Sequence, residues 1–121
     1  MANTFKVVTF AAEPNASGTE YIMYTAPSST TTIVLGLLLT NIHTAQVTAT
    51  VRLISDTSKT GATNNADNTT SVLIKDAPIP VGSSLELLAG NKIVLETTDQ
   101  IDIDCSVADK LSGTLSIMEI T

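Results

Sequence analysis

Between positions 83 and 119 the sequence alternates apolar and polar residues in short runs that turn residues separate. A period of two buries one face of an extended strand and leaves the other face in water. Runs of this kind at short, regular spacing predict the strands of a sandwich or barrel rather than helices. The predicted strands in this part of the chain are Ser83–Leu88, Lys92–Glu96, Gln100–Val107 and Thr114–Glu119.

The rest of the chain continues the pattern, with turns rich in Pro, Gly, Asn and Ser. Asp76–Gly82 is predicted to be an extended, proline-stiffened crossing. Residues 55–70 hold no bulky apolar side chain, so we expect a protruding loop there. The other predicted strands are Thr4–Phe10, Tyr21–Thr25, Thr31–Ile42, Gln46–Ile54 and Ser71–Lys75.

These strands predict one all-β domain over residues 1–121, an antiparallel β-sandwich of about eight or nine strands. Hydrophobic periodicity does not distinguish a jelly-roll strand order from an immunoglobulin-like one, and both orders stay open.

The composition indicates a surface that is poor in charge. Only 15% of the residues are charged, although the net charge is −6. Burying a hydroxyl group under a partner has a smaller desolvation cost than burying an ion. Thr and Ser fill most of the polar positions in this chain. The composition fits two interpretations equally: a subunit that is partly covered in an assembly, and a Thr-rich secreted or extracellular β domain.

Several classes of partner are disfavoured. The six basic residues are scattered singly and aromatic residues are only 3% of the chain, so we expect no nucleic-acid binding. The longest apolar run, Ile33–Leu39, is far shorter than the roughly 20 residues of a membrane helix. The N-terminus shows no secretory signal pattern, so we expect synthesis in the cytoplasm and no membrane contact.

The sequence also lacks the residue combinations that catalysis needs. It holds one histidine, His43, and one cysteine, Cys105, and none of the common nucleophile, zinc or phosphate-loop motifs. Cys105 shares a strand face with Ile101 and Ile103, which predicts a buried, inert thiol. We expect neither enzymatic activity nor a cofactor.

One acidic cluster could bind a hard cation through oxygen ligands: Asp99, Asp102 and Asp104. It has no glycine-turned calcium loop. The competing interpretation places Asp102 and Asp104 on the wet face of an edge strand, where carboxylates prevent edge-to-edge pairing. We therefore expect no metal here.

The strand around Ile33–Leu39 is apolar on both faces, so it is either central in the sandwich or covered by another subunit. The candidate interface residues are Phe5, Val7, Ile33, Leu35, Leu37 and Leu39. The N-terminal strand can add to a neighbouring sheet edge. We expect a homo-oligomer, with a trimer favoured.

Three segments together resemble small virion proteins of tailed bacteriophages: Tyr24–Ile42, Ala77–Leu88 and Lys92–Ile101. They contain an apolar strand that ends in Asn, a proline-containing crossing, a small-residue turn, and a KIVLE strand followed by Asp. The pattern contains no catalytic residue.

The resemblance implies a structural protein of the virion, with the major capsid protein or other virion subunits as partners. The leading hypothesis is a capsid decoration (cement) subunit. A tail, baseplate or head–tail junction component is the first alternative. A host-surface carbohydrate- or receptor-binding module is the alternative from another class, and the scarcity of aromatic residues disfavours it.

Overall fold

The computed structural model describes residues 2–56, 68–88 and 91–121, and within them it is all β. In that part of the chain no helix is long and apolar enough to cross a membrane. The predicted loop around residues 55–70 falls largely on 57–67, outside the described residues. The strands are β1 (Asn3–Glu13), β2 (Tyr21–Thr25), β3 (Thr31–Asn41), β4 (Val47–Ile54), β5 (Thr70–Ile79), β6 (Ser84–Leu87), β7 (Ile93–Leu95), β8 (Gln100–Cys105) and β9 (Leu111–Ile120).

The strands form two antiparallel sheets, which confirms the predicted all-β sandwich. Sheet I has the order β1-β9-β3-β6, with β7 also paired to β3, and sheet II has the order β2-β8-β4-β5. β6 and β7 follow one another along the same edge of β3, so they act as one interrupted strand. If that strand is counted once, the orders become 1-8-3-6 and 2-7-4-5. This is a jelly roll, which resolves the alternative that the sequence left open.

A β-bulge between Val34 and Gly36 decides which apolar residues of β3 enter the core. Because the bulge adds one residue, the side chains after it change face. Leu37 and Leu39 are therefore buried in the sandwich, on the same side as Val34. β3 is central in sheet I, with β9 on one side and β6 and β7 on the other, so its neighbours half-bury the outward side chain of Ile33 while Leu38 stays 38% exposed.

The first part of the predicted proline crossing, Asp76–Ile79, was assigned wrongly, because β5 continues through it to Ile79. A register shift in the β4–β5 ladder falls at Asp76, whose φ of 49° lies in the left-handed region. The Thr50 hydroxyl accepts a hydrogen bond from the Asp76 amide at 3.0 Å. Pro78 then fits an edge strand, where one missing amide donor leaves no neighbouring strand unsatisfied.

The core closes around side chains from both sheets, and the predicted burial of Cys105 is confirmed. The Phe10 ring meets Tyr21 edge-on at a centroid distance of 5.2 Å and lies over Gly113 of the neighbouring strand. A Cβ atom at Gly113 would overlap that ring. Glycine at this position therefore allows the aromatic pair to fill the space between the sheets.

Asn41, which ends the apolar strand in the segment that resembles phage virion proteins, has a structural role. Asn41 is buried, and its amide nitrogen donates hydrogen bonds to the carbonyls of Ala45 and Ile79, both at 2.9 Å. Its side-chain oxygen accepts from the His43 amide at 2.7 Å. Asn41 thus fastens the β3–β4 bend to the end of β5.

Candidate assembly surface

An apolar row crosses the outer face of sheet I from one edge to the other. The strand registers place Phe5 beside Met118, Met118 beside Ile33, and Ile33 beside Val94. Phe5 is 71% exposed and Val94 is 57% exposed, while the two central residues are half-buried by their neighbours. These four residues are called the apolar row below. Cross-strand neighbours of this kind form a continuous surface that a partner can cover.

The rest of this outer face is almost without charge. Val7 and Leu38 are exposed on it, and hydroxyl residues of β9 such as Thr114 and Ser116 lie between them. Among the described strand residues of sheet I, Glu86 is the ionisable side chain whose register places it on this face. Covering the face therefore requires little desolvation of ions.

β1 forms the outer edge of sheet I, and half of its backbone groups face away from β9. Ala2 and Thr121 exchange both amide–carbonyl hydrogen bonds, at 3.1 and 3.0 Å. In an antiparallel ladder such pairs alternate with pairs whose groups point outwards. The open amides and carbonyls are therefore those of the alternate residues Asn3, Phe5, Val7 and Thr9. The exposed side chains of Phe5 and Val7 accompany this open edge.

On its inner side, β1 is held by a polar network that joins the two sheets. The Lys6 ammonium lies 2.7 Å from Glu119 Oε1, and the Tyr24 hydroxyl donates to Glu119 Oε2 at 2.6 Å. Burial and, to a smaller degree, the hydrogen bond to Glu119 raise the pKa of Tyr24 to about 12. The hydrogen bonds that Glu119 accepts from Lys6 and Tyr24 lower the pKa of Glu119. The one cation in the middle of β1 is thus already paired.

The outer face of sheet II contains a compact cluster of charges. Arg52 Nη1 lies 2.6 Å from Asp104 Oδ2 and 3.4 Å from Glu20 Oε1. Asp102 faces Arg52 across the β4–β8 ladder and is only 2% exposed, and its Oδ1 has no hydrogen-bond partner. Burial and the neighbouring Glu20 carboxylate raise the pKa of Asp102 to about 6, and Arg52 opposes that shift.

The predicted acidic cluster is therefore only partly brought together. Asp102 and Asp104 do share a face of β8, but the prediction of an edge strand was wrong, since β8 lies between β2 and β4. Asp99 has a different role: it accepts hydrogen bonds from the Asp56 and Glu96 amides, each at 3.1 Å. Within the described ranges, no three acidic, His or Cys residues are arranged to hold a metal ion.

The candidate interface residues are also divided by the fold. Phe5, Val7 and Ile33 lie on the outer face of sheet I, and Leu35 is half-buried at the bulge. Leu37 and Leu39, which the sequence analysis also named as interface candidates, lie in the core instead. Gly36 is the one sequence signal of the bulge. Sequence analysis missed Met118 and Val94 as members of the apolar row, because only the pairing of strands brings them next to Ile33.

A depression of about 480 Å³ lies at one end of the sandwich. The residues that line it are Leu53, Ser55, Asn68, Thr69, Thr70, Ser71, Val94, Glu96 and Asp99. No aromatic side chain is among these described residues, so they offer no flat ring on which a sugar could stack.

No protein-family model matches the chain, and no curated protein matches it. Among solved structures, it is similar to a chain of Bacillus endospore appendages, a novel family of disulfide-linked pili, at 16% identity and a TM-score of 0.45 over 99% of this chain and 87% of that one.

The chain is also similar to two chains of infectious bursal disease virus. One is from the Gx strain, at 15% identity and a TM-score of 0.42 over 96% of this chain and 32% of that one. The other is from the T13 viral particle, at 13% identity and a TM-score of 0.40 over 97% and 30%. This chain thus spans about a third of the length of those viral chains. At these TM-scores and identities, the likenesses support no conclusion about function.

Proposed function

We propose that this protein is a non-enzymatic structural subunit of a virion, and that it attaches through the outer face of sheet I. The observation that carries the proposal is the apolar row on a nearly uncharged sheet face. A continuous row of apolar side chains with exposed ends, on a face depleted of charge, is typical of a contact region. The resemblance to small virion proteins of tailed phages supplies the kind of assembly.

Within that class, we favour a capsid decoration subunit that binds the major capsid protein or neighbouring shell subunits. A decoration subunit needs a stable, compact domain and one surface that can be covered, and both features are present in the described residues. A tail, baseplate or head–tail junction component would use the same features. The number of copies per particle separates these two locations.

The expected trimer keeps less support than the expected association itself. That expectation rests on a strand that is apolar on both faces, and Leu37 and Leu39 lie in the core, where they are not available to a partner. The contacts that remain available lie on the outer face of sheet I and along the edge of β1.

Quantitative mass spectrometry of purified particles from the source of this sequence tests the proposal. Copies in the hundreds relative to the major capsid protein indicate the shell, and a few dozen or fewer indicate the tail or a junction. Absence of the chain from particles in which the other virion proteins are detected would overturn the proposal.

A pair of matched variants tests the attachment surface. Val94→Asp places a charge in the apolar row, and Val72→Asp places one on sheet II at similar exposure, 57% against 50%. We expect Val94→Asp to abolish binding to particles that lack the protein and Val72→Asp to bind normally. Equal loss in both variants, with both folded, would show that another surface makes the contact.

A further inference from the structure

We propose that β1 pairs with β1 of a second copy of this chain, antiparallel about a twofold axis at Phe5, so that sheet I continues across both copies. This inference deepens the proposed function, because it names a partner for the edge of the same sheet. Dimerisation is measured without any particle, so either inference can fail while the other stands.

The open backbone groups of β1 determine how two copies can meet. Asn3, Phe5, Val7 and Thr9 present unpaired amides and carbonyls at the edge of sheet I. Two such edges form backbone hydrogen bonds when each of these residues lies opposite one of the same four residues in the second copy. A twofold axis then passes through Phe5, Lys6 or Val7, and no other position near the middle of the open edge satisfies both strands.

The side chains choose among these three positions. An axis at Lys6 would place two ammonium groups directly opposite each other, which is destabilising. An axis at Val7 would place Phe5 opposite the partner's Thr9. An axis at Phe5 places the two phenyl rings together and sets Lys6 opposite the partner's Thr4, so the apolar row becomes continuous through both copies.

The charge and the geometry of the edge favour a second copy as the occupant. The chain carries a net charge of −6, so two copies approach best where the surface has no acidic side chain. From Asn3 to Thr9, β1 contains no acid, and its single cation, Lys6, is already paired with Glu119 on the inner side.

Twofold pairing also uses the open edge of both copies at once. An open edge with exposed apolar residues invites continued addition of strands unless it is covered. Because an isologous contact consumes the same edge on each copy, growth stops at a dimer.

Sedimentation of the purified chain at micromolar concentration should show a dimer. Val7→Pro removes one outward-facing amide donor. It leaves the hydrogen bonds between β1 and β9 intact, because the amide of Val7 points away from β9. We expect this variant to be a folded monomer, as checked by circular dichroism and thermal melting. Val81→Pro, in the turn that follows β5, is the matched control and should remain a dimer. A wild-type monomer or trimer would overturn the proposal, as would a dimer that survives Val7→Pro.

Disulfide trapping tests the register and does not depend on a proline. With the axis at Phe5, Asn3 lies opposite the partner's Val7 in a hydrogen-bonded pair, where Cα atoms about 5.5 Å apart suit a disulfide. The double variant Asn3→Cys/Val7→Cys should form a covalent dimer under mild oxidation, and neither single variant should. Cys105 is fully buried and does not interfere.

Two results of the trapping experiment would contradict the proposal. A covalent dimer from Val7→Cys alone would move the axis to Val7. A double variant that stays uncrosslinked, or that is captured only by other virion proteins when these are added, would exclude a second copy as the occupant of the edge.

Discussion

The two outer faces of the sandwich are built from the same alternating pattern but present different chemistry. On sheet I the outward positions of the described strands are uncharged apart from Glu86, and the apolar row crosses the face. On sheet II the outward positions include Arg52, Asp104 and a buried Asp102. Covering the outer face of sheet I therefore desolvates few ions. On the outer face of sheet II, Arg52 forms ion pairs with Asp104 and Glu20. Covering those charges with a partner would cost desolvation free energy, so this face is suited to remain in water.

The largest expected effect tests where the outer face of sheet I ends and the core begins. Leu37 is buried and Leu38, the next residue, is 38% exposed on the outer face. Leu37→Asp places a carboxylate in the core and should cost about 4 kcal/mol or more, enough to unfold many single domains. Leu38→Asp should change the free energy of unfolding by less than about 1 kcal/mol.

Urea denaturation of both variants measures this difference. Similar stabilities for the two would show that the bulge between Val34 and Gly36 does not set the register described here. A folded Leu37→Asp variant with altered association would instead return Leu37 to the interface.

The next effect concerns the charged face and has a defined pH dependence. The pKa of Asp102 is raised from 3.8 to about 6, so the folded state holds this proton more tightly than the unfolded state. The ionised form of Asp102 therefore opposes folding, and its contribution reduces stability as the pH rises from about 4 to 6. Asp102→Asn should remove this slope and increase stability at pH 7 by about 1–3 kcal/mol.

Urea denaturation at pH 5 and pH 7.5 checks the sign of this effect. The gain from Asp102→Asn should be larger at pH 7.5, where the wild-type carboxylate is ionised. Asp104→Asn is the matched control: it removes a partner at 2.6 Å from Arg52 and should lower stability at both pH values. A loss of stability for Asp102→Asn at pH 7.5 would mean that Arg52 stabilises the ionised form more than burial opposes it.

Sequence reasoning recovered what depends on periodicity and missed what depends on pairing. The strands, the sandwich and the burial of Cys105 follow from alternation within single strands. The strand order, the central position of β8 and the apolar row depend on which strands become neighbours, and no local pattern encodes that. The bulge at Val34 and Gly36 has a further consequence, because one added residue moved Leu37 and Leu39 from the predicted interface into the core.

The smallest expected effect is that of salt on attachment. The outer face of sheet I is nearly uncharged and Lys6 is already paired within the chain, so few ion pairs can form with a partner there. Ion-pair contacts weaken as salt screens them, whereas apolar burial does not. The fraction of the chain that sediments with particles should therefore change little between low salt and molar NaCl, while Val94→Asp should reduce it at every salt concentration. Release of the wild-type chain by moderate salt alone, with Val94→Asp binding normally, would indicate that charged residues such as those of sheet II hold the protein to its partner.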